Sequence, residues 1–169
     1  MKKLLLLIVA IICVLNSSAQ GINSPQGQSA TISIDSLSIR LNKLQHDYDF
    51  MYCDYELHKL LMDLKDLSHS VGRSSNAVII NYYNGIYDRG LYNSYVSDYE
   101  AACGFLDSLK EKIEAEQIAV GVKIMSSEFP DAELNVLSAG FKTIQQAVTS
   151  VEASLNYYNV SLKAYRSKK

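Results

Sequence analysis

Three histidines, a run of acids, two cysteines and two serines are the residues whose types could do chemistry, and their spacing decides how much. His46, His58 and His69 are the only imidazoles. His58 and His69 share a helical face, but 11 residues set them about 16 Å apart along the axis, too far for two ligands of one zinc ion. Asp54 and His58, four residues apart, read as an ordinary helix-surface pair. No metal role is expected.

Asp47, Asp49, Asp54 and Glu56 crowd around Tyr48, Tyr52 and Tyr55. Successive helix positions point different ways, so no two of these carboxylates converge on their own helix. An acid–base pair would need a carboxylate from another helix; otherwise the acids make a solvated face. Ser74 and Ser75 follow Gly72 but lack a GxSxG elbow and a strand before it. There is no glycine-rich phosphate loop, no HExxH and no EF-hand loop. The expectation is a non-enzymatic chain with no cofactor.

Cys53 and Cys103 remain once Cys13 is assigned to the leader described below. An even pair in an exported chain invites a disulfide. Level residues of an antiparallel hairpin have a constant sum, and this pair centres its turn at residue 78. Such a bridge would stabilise the fold by about 4 kcal/mol through loop-closure entropy. Two small buried thiols are the other reading, and one continuous helix over 75–127 excludes the bridge. No CxxC redox site is present.

Tyrosine is the compositional anomaly: 12 Tyr against no Trp. Across a helix turn at 129, Tyr92, Tyr95 and Tyr99 come level with Tyr158 and Tyr165. Tyr82, Tyr83 and Tyr87 close over the same end, and NYYN occurs twice, at Asn81–Asn84 and Asn156–Asn159. A rigid apolar body with a polar tip suits a contact surface, and it equally fills a core with its hydroxyl reaching solvent. Tyr82, Tyr83, Tyr87 and Tyr157 are the candidate partner surface.

The elements that must position these residues are helical. Leu134, Leu137, Phe141, Ile144, Val148, Val151, Leu155, Tyr158, Leu162 and Tyr165 follow at alternating steps of three and four. That 3.5-residue period marks a narrow apolar seam facing other helices. Ile34, Leu37, Leu41, Leu44, Tyr48, Met51 and Tyr55 form a first stripe earlier in the chain. Phe50, Cys53, Leu57, Leu60, Leu64, Leu67 and Val71 form a second, offset stripe. Together they predict a wide face touching two neighbours. Tyr92, Tyr95, Tyr99, Ala102, Leu106, Leu109, Ile113, Glu116 and Val120 give the next pattern.

Gly72 reads as a helix stop and Pro130 as a helix start. The spacing therefore predicts helices over about 33–70, 76–88, 91–127 and 131–167. The long ones span about 37 residues, roughly 56 Å each. The expected fold is all-α: an elongated antiparallel three-helix, coiled-coil-like bundle over 33–167 with a short helical cap at 71–90. A four-helix arrangement is the alternative.

Before the bundle, Lys2 and Lys3, the apolar run Leu4–Leu15 and Ser17-Ser18-Ala19 have the three parts of a cleavable signal peptide, residues 1–19. The short basic start is of a bacterial kind. Residues 20–32, polar and holding Pro25, read as a flexible tether. Losing two lysines and no acid takes the formal charge from −2 to −4, which gives no basic face for nucleic acid. No second apolar run is long enough to span a bilayer.

The expected role is a small periplasmic or secreted protein-interaction module whose partner, another envelope or secreted protein, is met at the tyrosine-rich end or else along an exposed remnant of the wide face on the first helix. The alternatives are a homo-oligomeric, coiled-coil structural protein of the cell envelope assembled through the 134–165 seam, and a small-molecule binder or enzyme using the carboxylates near Tyr48–Tyr55.

Overall fold

The computed structural model describes the backbone over residues 26–127 and 129–167, and side chains over 34–126 and 129–167. The expected signal peptide and the start of the tether lie outside the described residues. Three helices follow in order: α1 (Gln26–Tyr83), α2 (Arg89–Ser127) and α3 (Asp131–Ser167). No strand occurs among the described residues.

The chain divides into two units, residues 1–45 and 46–169. In the first, the described backbone is helical, and every residue from 34 to 45 is exposed. The helix begins at Gln26, seven residues before the expected start. Gln26–Ile32 contains no proline, and its single Gly27 costs a helix only about 1 kcal/mol, so nothing local stops it.

The second unit is the three-helix bundle. Asp49 meets Lys123 and Asn81 meets Tyr95, so α1 and α2 run antiparallel. Lys110 meets Glu152 and Tyr99 meets Tyr158, so α2 and α3 do too. His46 meets Glu133, which leaves α1 and α3 parallel. The core is the one the periodicity gave for α2 and α3. Leu106, Leu109, Ile113 and Val120 are buried, as are Leu137, Ile144, Val148, Val151, Leu155, Tyr158, Leu162 and Tyr165.

On α1 the outcome differs. The second stripe is buried from Cys53 to Val71, whereas the first stripe, Ile34 to Tyr55, is exposed throughout. The two expected neighbours of α1 are there, but the second stripe alone covers the contact with both. Gly140 shows how close α3 comes: a Cβ on it would sit 3.0 Å from Leu57 Cδ1.

The separate helical cap at 71–90 is also corrected. α1 runs straight through Gly72, where an added Cβ would meet nothing within 4 Å. Val71, Ser75 and Val78 keep the buried stripe going, and their burial outweighs the glycine's cost of about 1 kcal/mol. The stop is Gly85, whose φ of 70° is left-handed. Around it, the Ile86 N–H donates to Asn81 O at 3.0 Å and the Gly85 N–H to Tyr82 O at 3.3 Å. This is a Schellman motif, which satisfies carbonyls that the ending helix orphans.

Asp88 then caps α2, its Oδ1 accepting from the Leu91 N–H at 2.7 Å. At the other end the Pro130 carbonyl accepts from the Glu133 and Leu134 N–H groups. Asp131 and Glu133 stand in the first turn of α3 and Arg166 in its last, each sign favoured by the helix dipole. Phe129 is buried in the linker, edge-on to His46 at 5.3 Å and to Phe50 at 6.2 Å.

Candidate functional site

The tyrosine-rich end forms as the 129-centred register requires. Tyr92 stacks on Tyr165 with centroids 6.2 Å apart, Tyr87 lies 5.4 Å from the same ring, and Tyr95 meets it edge-on at 6.0 Å. The Tyr165 hydroxyl accepts from the Asp88 N–H at 3.4 Å, and Asn81 Nδ2 donates to the Tyr95 hydroxyl at 2.6 Å. Tyr158 is wholly buried and donates to Tyr95 O at 3.0 Å. Burial, then the nearby Asp98 charge, pushes the Tyr158 phenol up to about 12. This cluster ties the end of α1, the Asn84–Asp88 turn, α2 and α3 together. Its inner members are core.

The four candidate contact residues divide. Tyr83 is 78% exposed and Tyr157 is 56% exposed. Tyr82 is half-buried and meets Tyr83 edge-on at 5.4 Å, while Tyr87 packs on Tyr165. Tyr157 does not join the others: its groove neighbours are Gly72, Ser75 and Asn76 on α1 and small residues of α3. An open groove of about 580 Å³ beside the cluster is lined by Tyr87, Tyr92, Arg89 and Arg166.

The cysteines are not brought together. Both thiols are free, Cys53 buried and Cys103 half-buried. The α1–α2 turn centres near 86, so level residues sum to about 172, as Asp49 and Lys123 do. Cys53 is then level with Ala119, 16 residues from Cys103, or about 24 Å along the axis. A disulfide needs Cα atoms within about 7 Å. Burial raises the Cys53 thiol above its ordinary range, with Lys123 opposing, which keeps it protonated and unreactive.

The histidines and acids are spread over separate partners. His46 Nε2 lies 3.1 Å from Glu133, His58 lies 3.4 Å from Asp54, and His69 is exposed. No group of three His, Cys, Asp or Glu that could hold a metal ion stands together among the described residues. Asp49 is buried against Lys123 at 2.5 Å. The second helix does bring one carboxylate to the cluster: Glu116 of α2 approaches Glu56, with Lys59, Asp63 and Lys112 around them. Burial, then the Glu56 charge, raises the Glu116 carboxyl. The cavity there is about 160 Å³, below the roughly 300 Å³ at which small-molecule sites begin. It fits water better than a substrate.

The wide face of the first helix, the second place the sequence offered for a contact, leaves its first stripe on α1 uncovered. Ile34, Leu37, Leu41, Leu44, Tyr48, Met51 and Tyr55 are between 46% and 70% exposed. Singly exposed apolar residues are ordinary, but seven in unbroken 3/4 order are not. The signal was present, since two offset stripes are more than one contact face needs. No described helix is long and apolar enough to cross a membrane. Comparisons of the chain with protein-family models, with curated proteins and with solved structures return no match.

Proposed function

We propose that this chain is a small exported, non-enzymatic interaction module that binds a helical partner along the first stripe of α1. The observation that carries the reading is the unbroken exposure of Ile34, Leu37, Leu41, Leu44, Tyr48, Met51 and Tyr55. A seam with a 3.5-residue period is shaped to receive knobs from another helix of the same period, and left in water it forfeits the burial of seven large side chains. Export rests on the leader-like residues 1–19, and places the partner in the periplasm or outside the cell. The absence of a catalytic motif in the sequence and the small size of the Glu56–Glu116 cavity favour binding over catalysis.

The test is photo-crosslinking in the producing cell from a photoreactive residue at position 44. A discrete adduct is expected, and Leu41→Glu with the probe at 44 should abolish it while leaving the bundle's melting temperature unchanged. A probe that crosslinks to nothing, or an adduct indifferent to Leu41→Glu, sinks the reading.

A further inference from the structure

The interaction surface just proposed, on which this step rests, also specifies its occupant. We infer that the partner is a second copy of this chain, with the two α1 stripes paired antiparallel over residues 34–51. The steps of three and four place Ile34, Leu41 and Tyr48 at one set of seam positions and Leu37, Leu44 and Met51 at the other. The seam of matching period on α3 is already consumed inside the bundle, which leaves the α1 stripe of another copy as its match. When facing residue numbers add to 85, Ile34 faces the partner's Met51, Leu37 the partner's Tyr48, and Leu41 the partner's Leu44. Twofold symmetry repeats each contact, giving six layers.

Charge selects the direction. In this register Arg40 and the partner's Asp47 flank the same layer, and symmetry supplies a second such pair. Both residues are exposed, and neither has an ion pair among the described residues. A parallel pairing sets Arg40 against the partner's Gln45 and Asp47 against the partner's Tyr52, with no charge matched. Sliding the antiparallel pair by one heptad sets Asp47 against the partner's Asp47, which repels. Twelve seam side chains, each about half exposed or more, bring on the order of 1000 Å² to the contact. That is the lower limit of a specific interface, the size of a weak, concentration-dependent dimer.

Sedimentation equilibrium of the exported chain from about 1 to 300 μM tests this. The expected mass rises from about 17 to about 33 kDa, taking roughly 110 Da per residue. Leu41→Glu with Leu44→Glu should hold it at the monomer while helicity and melting temperature stay put. Arg40→Asp should weaken the dimer about tenfold, by losing two pairs and adding two repulsions. Adding Asp47→Arg should restore it.

A monomer at every concentration overturns the self-pairing and leaves the seam to be judged by its crosslinks. A dimer indifferent to Arg40→Asp overturns the antiparallel register. A dimer that survives Leu41→Glu with Leu44→Glu lies elsewhere and overturns the self-pairing along this seam, while the crosslinks from position 44 still decide the seam itself.

Discussion

Lys123 Nζ lies 2.5 Å from Asp49 Oδ1 and 5.0 Å from the centroid of the Tyr52 ring. This contact fixes α1 against α2 at a single level, with a carboxylate that is itself buried. Removing one partner of a buried pair strands the other's charge, which costs about 3 kcal/mol. Lys123→Met should therefore destabilise the bundle by about that amount in urea unfolding. Combining it with Asp49→Leu should recover more than half. Burial lowers the Lys123 ammonium's affinity for its proton, and the Asp49 carboxylate, followed by Cys53 and Tyr52, raises it, for a net rise above 10.5. The Lys123 contribution is thus in place at neutral pH and fades as pH climbs above 10.5 through the folded value. A Lys123→Met loss under 0.5 kcal/mol would mean the pair is solvated.

Sequence carried the α3 seam and its turn because ten apolar residues and Pro130 leave one solution. From these the level pairing of Tyr92 with Tyr165 follows, and the rings stack. The end of α1 was less legible. Gly72 and Gly85 look alike in sequence, and only burial of Ser75 and Val78 beyond Gly72 separates a tolerated glycine from a terminator. Moving that turn from 78 to about 86 shifts level residues by 16, which is what parts Cys53 from Cys103. The Asp49–Lys123 and Glu56–Glu116 approaches depend on the same register, so no reading along one helix could reach them. Nor could periodicity say which stripe of α1 would be covered, since both have the right period.

The two glycines give the second prediction. Gly72→Ala places a methyl where nothing lies within 4 Å and should stabilise α1 by about 0.5–1 kcal/mol. Gly85→Ala forces a side chain into φ 70° and should destabilise by about 1–2 kcal/mol. Melting temperatures that move the same way for both would contradict a helix running through one and ending at the other.

Thiol reactivity gives the third. Half-buried Cys103 should alkylate in the native protein, whereas Cys53, fully buried and with its thiol raised by burial, should label only on unfolding. Intact mass should show one adduct under native conditions and two in denaturant. A product lighter by two hydrogens and refractory to both would put Cys53 beside Cys103 and break the α1–α2 register.

Glu116 gives the fourth. Its Oε2 is buried with no hydrogen-bond partner among the described residues, and burial followed by the Glu56 charge raises its carboxyl above 4.5. The folded state then holds this proton more tightly than the unfolded one. The group therefore lowers stability at neutral pH, and the penalty is lost as pH falls through the folded value towards 4.5. Glu116→Gln should stabilise the bundle by about 0.5–1 kcal/mol at pH 7 and by nothing measurable near pH 4. Equal effects at both pH values would show that its charge is not the cause.

Tyr83 and Tyr158 separate surface from core in the last comparison. Tyr83→Ala removes a ring that is mostly in water and should change stability by less than about 0.5 kcal/mol. Tyr158→Phe breaks the hydroxyl's bond to Tyr95 O and should cost about 1 kcal/mol at pH 8. That cost depends on pH in a way a packing defect would not. With its phenol at about 12 in the fold and 10 when unfolded, Tyr158 resists ionising only while folded, so the fold loses stability as pH rises past 10. The phenylalanine variant has no such loss, and the gap should narrow by about 1 kcal/mol between pH 8 and pH 11. Urea midpoints for the two proteins at both pH values measure it. A gap that stays constant would place the Tyr158 hydroxyl in water, and the aromatic cluster would no longer be what closes this end of the bundle.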